Sequence, residues 1–397
     1  MRPRSLLVTG DLHLGPAAPA GTEQAIVSLL ERRESSEWIC LGDLFDLSAD
    51  TSGSPPAASV VEHLDRYSEL RRAIAQHLVD GGAVTLVVGN HDAELAAAGV
   101  RDAVLTRLDA PASANLKIEP WWIRRGPIHL EHGHVWDPDN APIHPLVPTE
   151  HTKEPLGISL TRRVLAPTGA YQFAHAHQTT PLKGLLRAIR ELHVHAPEVI
   201  VRYFVTGAKV FWQAANHEHE STRREGQRAI DAFAAMRGVD SATIERMIER
   251  RPMPRHGEAA ATFARLYFDR ALATVTAVAA TTAAVVEHTP GYSVVAAAGL
   301  LYLMGSRGNR AHRYSASLQR RVQAAAQAIL PMVEANVVVF GHTHVAESAP
   351  GYVNTGAFGF PSTKGRPYLL VGEDARITRG WLGNAIDLEV VSDANAS

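Results

Sequence analysis

The 397-residue sequence predicts an α/β fold carrying a large helical insertion. Three observations predict it. Short apolar runs, each closed by glycine and then by Asp, Asn or His, recur towards both ends of the chain. The middle of the chain switches to helical spacing. The composition, 46% hydrophobic and 20% charged, belongs to a globular chain with a sizeable core.

The run Ser5–Val8 leads through Gly10 to Asp11 and His13, which a period-two chain turns to the same side. "EWICLGDLFDL" is apolar from Trp38 to Leu41 and turns at Gly42 into Asp43 and Asp46. "AVTLVVGNHD" is apolar from Val84 to Val88, and Gly89 gives way to Asn90, His91 and Asp92. "IHLEHGH" alternates through Ile128 and Leu130 and releases His132 and His134 around Gly133. "VVVFGHTH" is apolar from Val337 to Phe340, then Gly341 precedes His342 and His344. Continuous Val, Ile and Leu runs bounded by glycine are strands covered on both faces. Ligands in open sheets of that kind gather beyond the carboxyl ends of the strands.

Five strands that discharge such residues at one end point to a metal centre. The donors are oxygen and nitrogen with no sulfur, which suits Mn first, with Fe or Zn as alternatives. They outnumber what one tetrahedral site can use, so two divalent ions are expected.

Other classes are excluded. Neither G-x-S-x-G nor GxxxxGK[ST] occurs, which removes the serine-hydrolase and P-loop readings. Lys plus Arg, at 39, balances Asp plus Glu, at 41, so no basic field calls for nucleic acid. The single Cys40 allows no intrachain disulfide and no CxxC zinc site. It fits a reducing compartment. The first apolar run is too short for a signal-peptide core. The expected location is therefore cytoplasmic.

The motifs D-x-H, G-D-x-x-D, G-N-H-D, H-G-H and G-H-x-H, in this order, resemble the calcineurin-like metallophosphoesterase superfamily. The resemblance implies a β-sandwich of two mixed sheets flanked by helices, with the metals at the strand ends. It implies that Asp11, His13 and His344 hold one ion, that Asn90, His132 and His342 hold the other, and that Asp43 bridges them. Residues 1–134 plus 337–397 would form the dimetal core and 135–336 a helical insertion or cap. Two divalent ions about 3.5–4 Å apart acidify a shared water and clamp a phosphoryl group for in-line attack. The metal-bridging hydroxide would be the nucleophile. His91, beside a ligand but assigned to neither ion, is the expected general acid. A carboxylate should orient it: by resemblance Asp46, with Asp92 as the alternative. His134 is expected to touch substrate or the outer coordination shell, with a plain surface position as the other reading, and Asn90 to face substrate as well as metal. Within the superfamily the chain distantly resembles the UDP-2,3-diacylglucosamine diphosphatases, which also have a helical insertion between histidine motifs. They carry Arg where His91 stands and Asp where His134 stands, and their insertion is shorter.

The insertion has helical texture. "PLKGLLRAIRELHVHA" (181–196) spaces its leucines by three and four; "STRREGQRAIDAFAAM" (221–236) opens on a Ser221 cap; "DSATIERMIERR" (240–251) does likewise. These helices are expected to cap the metal site. The pairs His175/His177, His193/His195 and His217/His219, spaced by two, do not share a helix face and read as structural or surface residues. The segments 271–286 and 292–305 are uncharged arms around a Pro290-Gly291 turn, each shorter than a bilayer span. After Glu287 no acidic residue occurs until Glu334, while Arg307, Arg310, Arg313, Arg320 and Arg321 lie between. Arg250, Arg251 and Arg255 flank the other side. Two readings follow. The hairpin makes a shallow contact with the cytoplasmic membrane surface through 271–321, or it is two buried cap helices.

The expected function is dimetal hydrolysis of a phosphoester or pyrophosphate bond in a phosphorylated, nucleotide-linked or lipid-linked substrate. The alternatives are a soluble phosphodiesterase or phosphoprotein phosphatase and, from another class, a non-catalytic metal-bound scaffold.

Overall fold

The computed structural model describes residues 5–50, 52–148, 153–169, 196–216, 219–308, 318–383 and 387–394. The five expected strands form: β1 (Leu6–Thr9), β2 (Glu37–Leu41), β3 (Ala83–Val87), β6 (Ile128–Glu131) and β7 (Val337–Phe340). They divide between two sheets. A seven-stranded sheet has the order β12-β11-β10-β1-β2-β3-β4, where β4 is Leu116–Glu119, β10 Arg366–Val371, β11 Arg376–Leu382 and β12 Asp387–Asp393. A five-stranded sheet has the order β5-β6-β7-β9-β8, where β5 is Trp122–Arg125, β8 Glu347–Ala349 and β9 Tyr352–Asn354. Strands β1 to β4 run parallel, β6, β7 and β9 run parallel, and β10 joins β1 antiparallel. Both sheets are mixed.

Period-two alternation builds the layers. Val8, Ile39 and Leu41 point between the sheets, where they meet Leu130, Val337 and Val339. Their neighbours Leu7, Trp38 and Cys40 point outwards, against helices α1 (Thr22–Glu31), α2 (Pro56–Arg66), α3 (Ser68–Val79) and α4 (Val100–Arg107). Two cores sharing one sheet explain why these strands read as unbroken apolar runs.

The insertion is not one unit over the strand ends. Helices α7 (Glu220–Arg237), α8 (Ser241–Arg250) and α12 (Leu318–Ile329) lay Ile230, Phe233, Ile244, Met247, Val322 and Ile329 on the outer face of the five-stranded sheet. They complete the sandwich as its fourth layer, where a cap over the site was expected. The reason is physical: β7 is apolar on both faces, Val337 and Val339 inwards and Val338 and Phe340 outwards, and needs a cover. A second group, α5 (Leu156–Leu160), α6 (Ala196–Ala215) and α9 (Ala259–Arg265), shares a small core of Leu156, Val164, Val199, Tyr203, Val210 and Leu266. Helices α10 (Phe268–Glu287) and α11 (Pro290–Gly308) form the hairpin, exposed along most of its length. The reading of the hairpin as buried cap core is therefore corrected.

Two local readings change. Helix α7 starts at Glu220 with His219 in the capping position, so Ser221 lies inside the first turn. Asp240 does cap α8, accepting from the Thr243 amide at 2.6 Å. The expected helix 181–196, except its last residue, and His175, His177, His193, His195 and His217 lie outside the described residues. His219 is buried, its ring centroid 5.2 Å from that of His256.

Candidate dimetal site

The carboxyl ends of β1, β2, β3, β6 and β7 converge, and the turns that follow them are unusual. Asp11, His13, Asp43, His342 and His344 all have positive φ, between 48° and 65°. Residues with a Cβ avoid this region, and each costs of order 1–3 kcal/mol unless its surroundings enforce it. Here five of them occupy one site. The glycines let the turns close up. A Cβ on Gly42 would stand 2.3 Å from the His132 ring, and one on Gly89 would stand 2.0 Å from Asp43 Oδ1.

The donors meet in overlapping triads of Asp11, His13 and His344; Asp11, Asp43 and His132; and His13, Asp46 and His91. His13 Nε2 lies 3.0 Å from His344 Nε2, and His344 Nε2 lies 3.3 Å from Asp11 Oδ1. One oxygen, Asp43 Oδ2, stands 3.7 Å from His13 Nε2 and 3.3 Å from His132 Nε2. It lies between the two histidines assigned to different ions.

The donor chemistry fits cations. His132 Nδ1 donates to the Leu41 carbonyl at 2.9 Å, so its Nε2 presents a lone pair to Asn90 Oδ1 at 3.1 Å and to Asp43 Oδ2. Acceptors that face one another in a dry pocket repel unless positive charge comes between them. Burial pushes the His132 imidazole towards neutral, yet the Asp43 carboxylate outweighs burial and lifts its pKa to about 10, which draws to Nε2 a proton that a bound cation would displace. Asp11 is pushed up by its burial and by Asp43. Asn90 Nδ2 and His134 Nδ1 are buried with no hydrogen-bond partner among the described residues. These Asp/His clusters could bind two divalent ions.

His342 is tied in from both sides. Its amide donates to Asp11 at 3.1 Å, and its Nε2 lies 3.1 Å from Asp137 Oδ2. Asp137, fixed by Asn140 at 2.7 Å, was not expected. Its only signal is the turn-forming string D-P-D-N just after H-G-H, and it follows no apolar run.

His91 belongs to the third triad. Its Nδ1 lies 2.8 Å from Asp46 Oδ1 and 2.8 Å from Ser48 Oγ, and Ser48 donates to the same Asp46 oxygen at 2.7 Å. Burial would lower the His91 pKa, but Asp46 beside it and Asp43 behind it raise it to about 9. Asp92 does not reach the His91 ring. Its oxygens accept from the Gly89 amide at 2.8 Å, the Leu44 amide at 2.7 Å and the Asp43 amide at 3.3 Å. It braces the turn that presents Asp43, and burial followed by the Asp43 charge raises its pKa to about 7. The alternative of Asp92 as the orienting carboxylate is therefore corrected to Asp46. Ser48 carried no sequence signal. His134 is buried rather than at the surface, its ring 5.3 Å from His132, and burial among histidines holds its pKa well below the usual value.

A family model described as calcineurin-like phosphoesterase matches residues 4–221, more than half of the chain. No curated protein matches it. Among solved structures, the crystal structure of Pseudomonas putida nuclease MPE is similar at 29% identity, over 32% of this chain and 53% of that chain, with a TM-score of 0.17. The chain thus spans about half the length of that nuclease.

Proposed function

The chain belongs to the calcineurin-like phosphoesterase family, and on that premise we propose that it is a dimetal hydrolase of phosphoester or diphosphate bonds. One observation carries the reading: five residues strained to positive φ aim their side chains at one buried pocket of facing acceptors.

The chemistry that two divalent ions supply when bound is charge neutralisation at the phosphoryl group and acidification of the attacking water. Asp11, His13 and His344 would hold one ion; Asn90, His132 and His342 the other; Asp43 both. The rest of the work falls to protein groups. Asp92 fixes the backbone of the Asp43 turn through three amides. Asp137 orients His342. His91 holds a proton near the site, and with Nδ1 turned to Asp46, Nε2 is the atom that delivers it to the leaving oxygen. His134 and Asn90 face the substrate side of the pocket. The substrate class we assign is an amphiphilic molecule carrying a phosphoester or diphosphate, nucleotide-linked or lipid-linked, met at a membrane surface. What supports the amphiphilic carrier is the exposed hairpin, uncharged over 271–286 and 290–306. Oxygen and nitrogen donors favour Mn, with Fe or Zn next.

The test is hydrolysis by the purified full chain with Mn, Fe or Zn added. Bis-p-nitrophenyl phosphate, p-nitrophenyl phosphate and a nucleoside-diphosphate lipid serve as substrates. Turnover that EDTA abolishes and metal restores is expected. No turnover of any substrate with any of the metals would leave the scaffold reading in its place.

A further inference from the structure

The hairpin raises a question that the metal chemistry does not answer. Between Ala271 and Ser306 only Ala277, Ala280, Ala296 and Ser306 are buried. Val275, Val286, Leu301 and Met304 are 66%, 72%, 67% and 67% exposed. Helix α10 has a mean hydropathy of 1.2 and is 11% buried, so it is neither a core helix nor, at positions 268–287, a leader segment. Residues 271–286 and 290–306 contain no charged side chain.

The two helices are joined by small residues. A Cβ on Gly299 would lie 3.0 Å from Ala277 Cβ and 3.1 Å from the Ala273 carbonyl, so the backbones approach as they do between helices in lipid. Three threonine hydroxyls are satisfied within their own helix. Thr274, Thr281 and Thr282 donate to carbonyls one turn back, at 2.8, 2.7 and 3.0 Å. Aromatic residues stand at both ends: Tyr292 near the tip, and Tyr267 and Tyr302 at the base. Beside the base, Phe204 of α6 stacks on Phe268 at 5.5 Å, and Trp212 of the same helix is 65% exposed. Such rings mark the water boundary of a membrane.

We infer that the α10–α11 hairpin crosses a lipid bilayer, with the sandwich and its metal site held at the surface where the hairpin enters. A helix lying flat in the interface needs a charged face, and neither arm has one. A second copy of the chain would cover one face and leave the other apolar face in water, whereas hydrocarbon covers the whole circumference. Depth follows from the tip. Residues 271–286 rise about 24 Å at 1.5 Å per residue, against a hydrocarbon thickness of about 30 Å. With Arg270 and Asp269 at the near head groups, full insertion brings Glu287 and His288 to within about 6 Å of the far ones, a mismatch that local thinning of the bilayer closes. Partial insertion would leave Glu287 in hydrocarbon, which is costly. The inference deepens the membrane part of the proposed function. It does not depend on the metal chemistry, so the two can fail separately.

The experiment uses the full chain with vesicles of phosphatidylcholine and phosphatidylglycerol. Wild type is expected to float with the vesicles and to stay bound in 1 M salt. Val278→Glu with Leu301→Glu, both at exposed positions, should remain with the soluble fraction while hydrolysing bis-p-nitrophenyl phosphate at the wild-type rate. Cys40 is buried, so His288→Cys supplies a single accessible thiol at the tip. In reconstituted vesicles it should resist a membrane-impermeant maleimide added outside and react at once when detergent is added. The inference is overturned if wild type does not float or is released by salt, if the double variant floats equally, or if the tip thiol reacts from outside. A wild-type dimer that fails to float and becomes monomeric in the double variant would assign the hairpin to self-association instead.

Discussion

At the strand ends, Asp11, His13, Asp43, His342 and His344 are held at positive φ in a nearly dry pocket. In the hairpin, Val275, Val286, Leu301 and Met304 stand two-thirds exposed on regular helix. The first region takes its strain in the backbone and the second in its surroundings. Strain at the site persists because two cores grip β1, β2 and β3 from both faces, and each costly dihedral is enforced by many buried side chains. The hairpin has no such grip, and its backbone needs none. The site calls for cations and the hairpin for hydrocarbon. Substitutions should therefore act by different routes in the two regions.

The largest effect is expected at Asp43. Asp43→Asn removes the anionic oxygen shared by the two halves of the site, so metal content should fall for both ions and turnover should drop to background. Metal analysis of the purified variant checks it; two ions per chain with normal turnover would break the assignment. Next comes His91→Ala, which should keep the metals and slow hydrolysis by about 10²–10⁴-fold for poor leaving groups. A leaving group that departs as a stable anion should lose far less. Equal losses across a series of leaving-group pKa values would remove His91 as proton donor.

These two residues were legible in the sequence, and it is instructive which others were not. Asp43 and His91 each follow an apolar run that a glycine ends, so periodicity placed them at strand ends, and the family resemblance suggested their roles. Asp137 and Ser48 sit in irregular turns reached through space, Asp137 against His342 and Ser48 against His91. No local pattern marks such a residue. Asp92 shows a subtler failure: its place next to His91 in sequence says nothing about which way its carboxylate turns, and it turns to three backbone amides. The same limit applies to the insertion. Amphipathic spacing told which segments are helical. That α7, α8 and α12 cover the five-stranded sheet depends on outward residues of β5, β7 and β9, Trp122, Val338, Phe340 and Tyr352. The strands β8, β9, β11 and β12 are short or carry charged residues among the apolar ones, and β10, whose run from Tyr368 to Val371 is apolar, runs antiparallel to β1 and so ends away from the site.

Phe340 sharpens the comparison from the core side. It is fully buried at the end of β7, two residues before His342, with its ring 6.2 Å from that of Tyr352. Phe340→Ala should cost about 3–5 kcal/mol of stability. It should also weaken metal retention, because the turn into His342 loses its support. The urea midpoint and the metal content report the two effects, and a loss of stability under 1 kcal/mol would show that the site's strain is held elsewhere.

The smallest effect is expected for the same kind of truncation in the hairpin. Leu301→Ala removes a large apolar side chain from a helix, as Phe340→Ala does from a strand, but Leu301 is already 67% exposed. Little apolar area leaves a buried environment, no cavity forms, and alanine is a better helix former than leucine. In aqueous buffer the urea midpoint should therefore move by no more than about 0.5 kcal/mol equivalent. Bound to vesicles, the same substitution does cost, because leucine in hydrocarbon is worth more than alanine; flotation should require more lipid. A cost above about 2 kcal/mol in buffer would mean that Leu301 is buried in solution against another surface. The contrast between a gripped site and an ungripped arm would then fail at the arm, while the metal site stood as before.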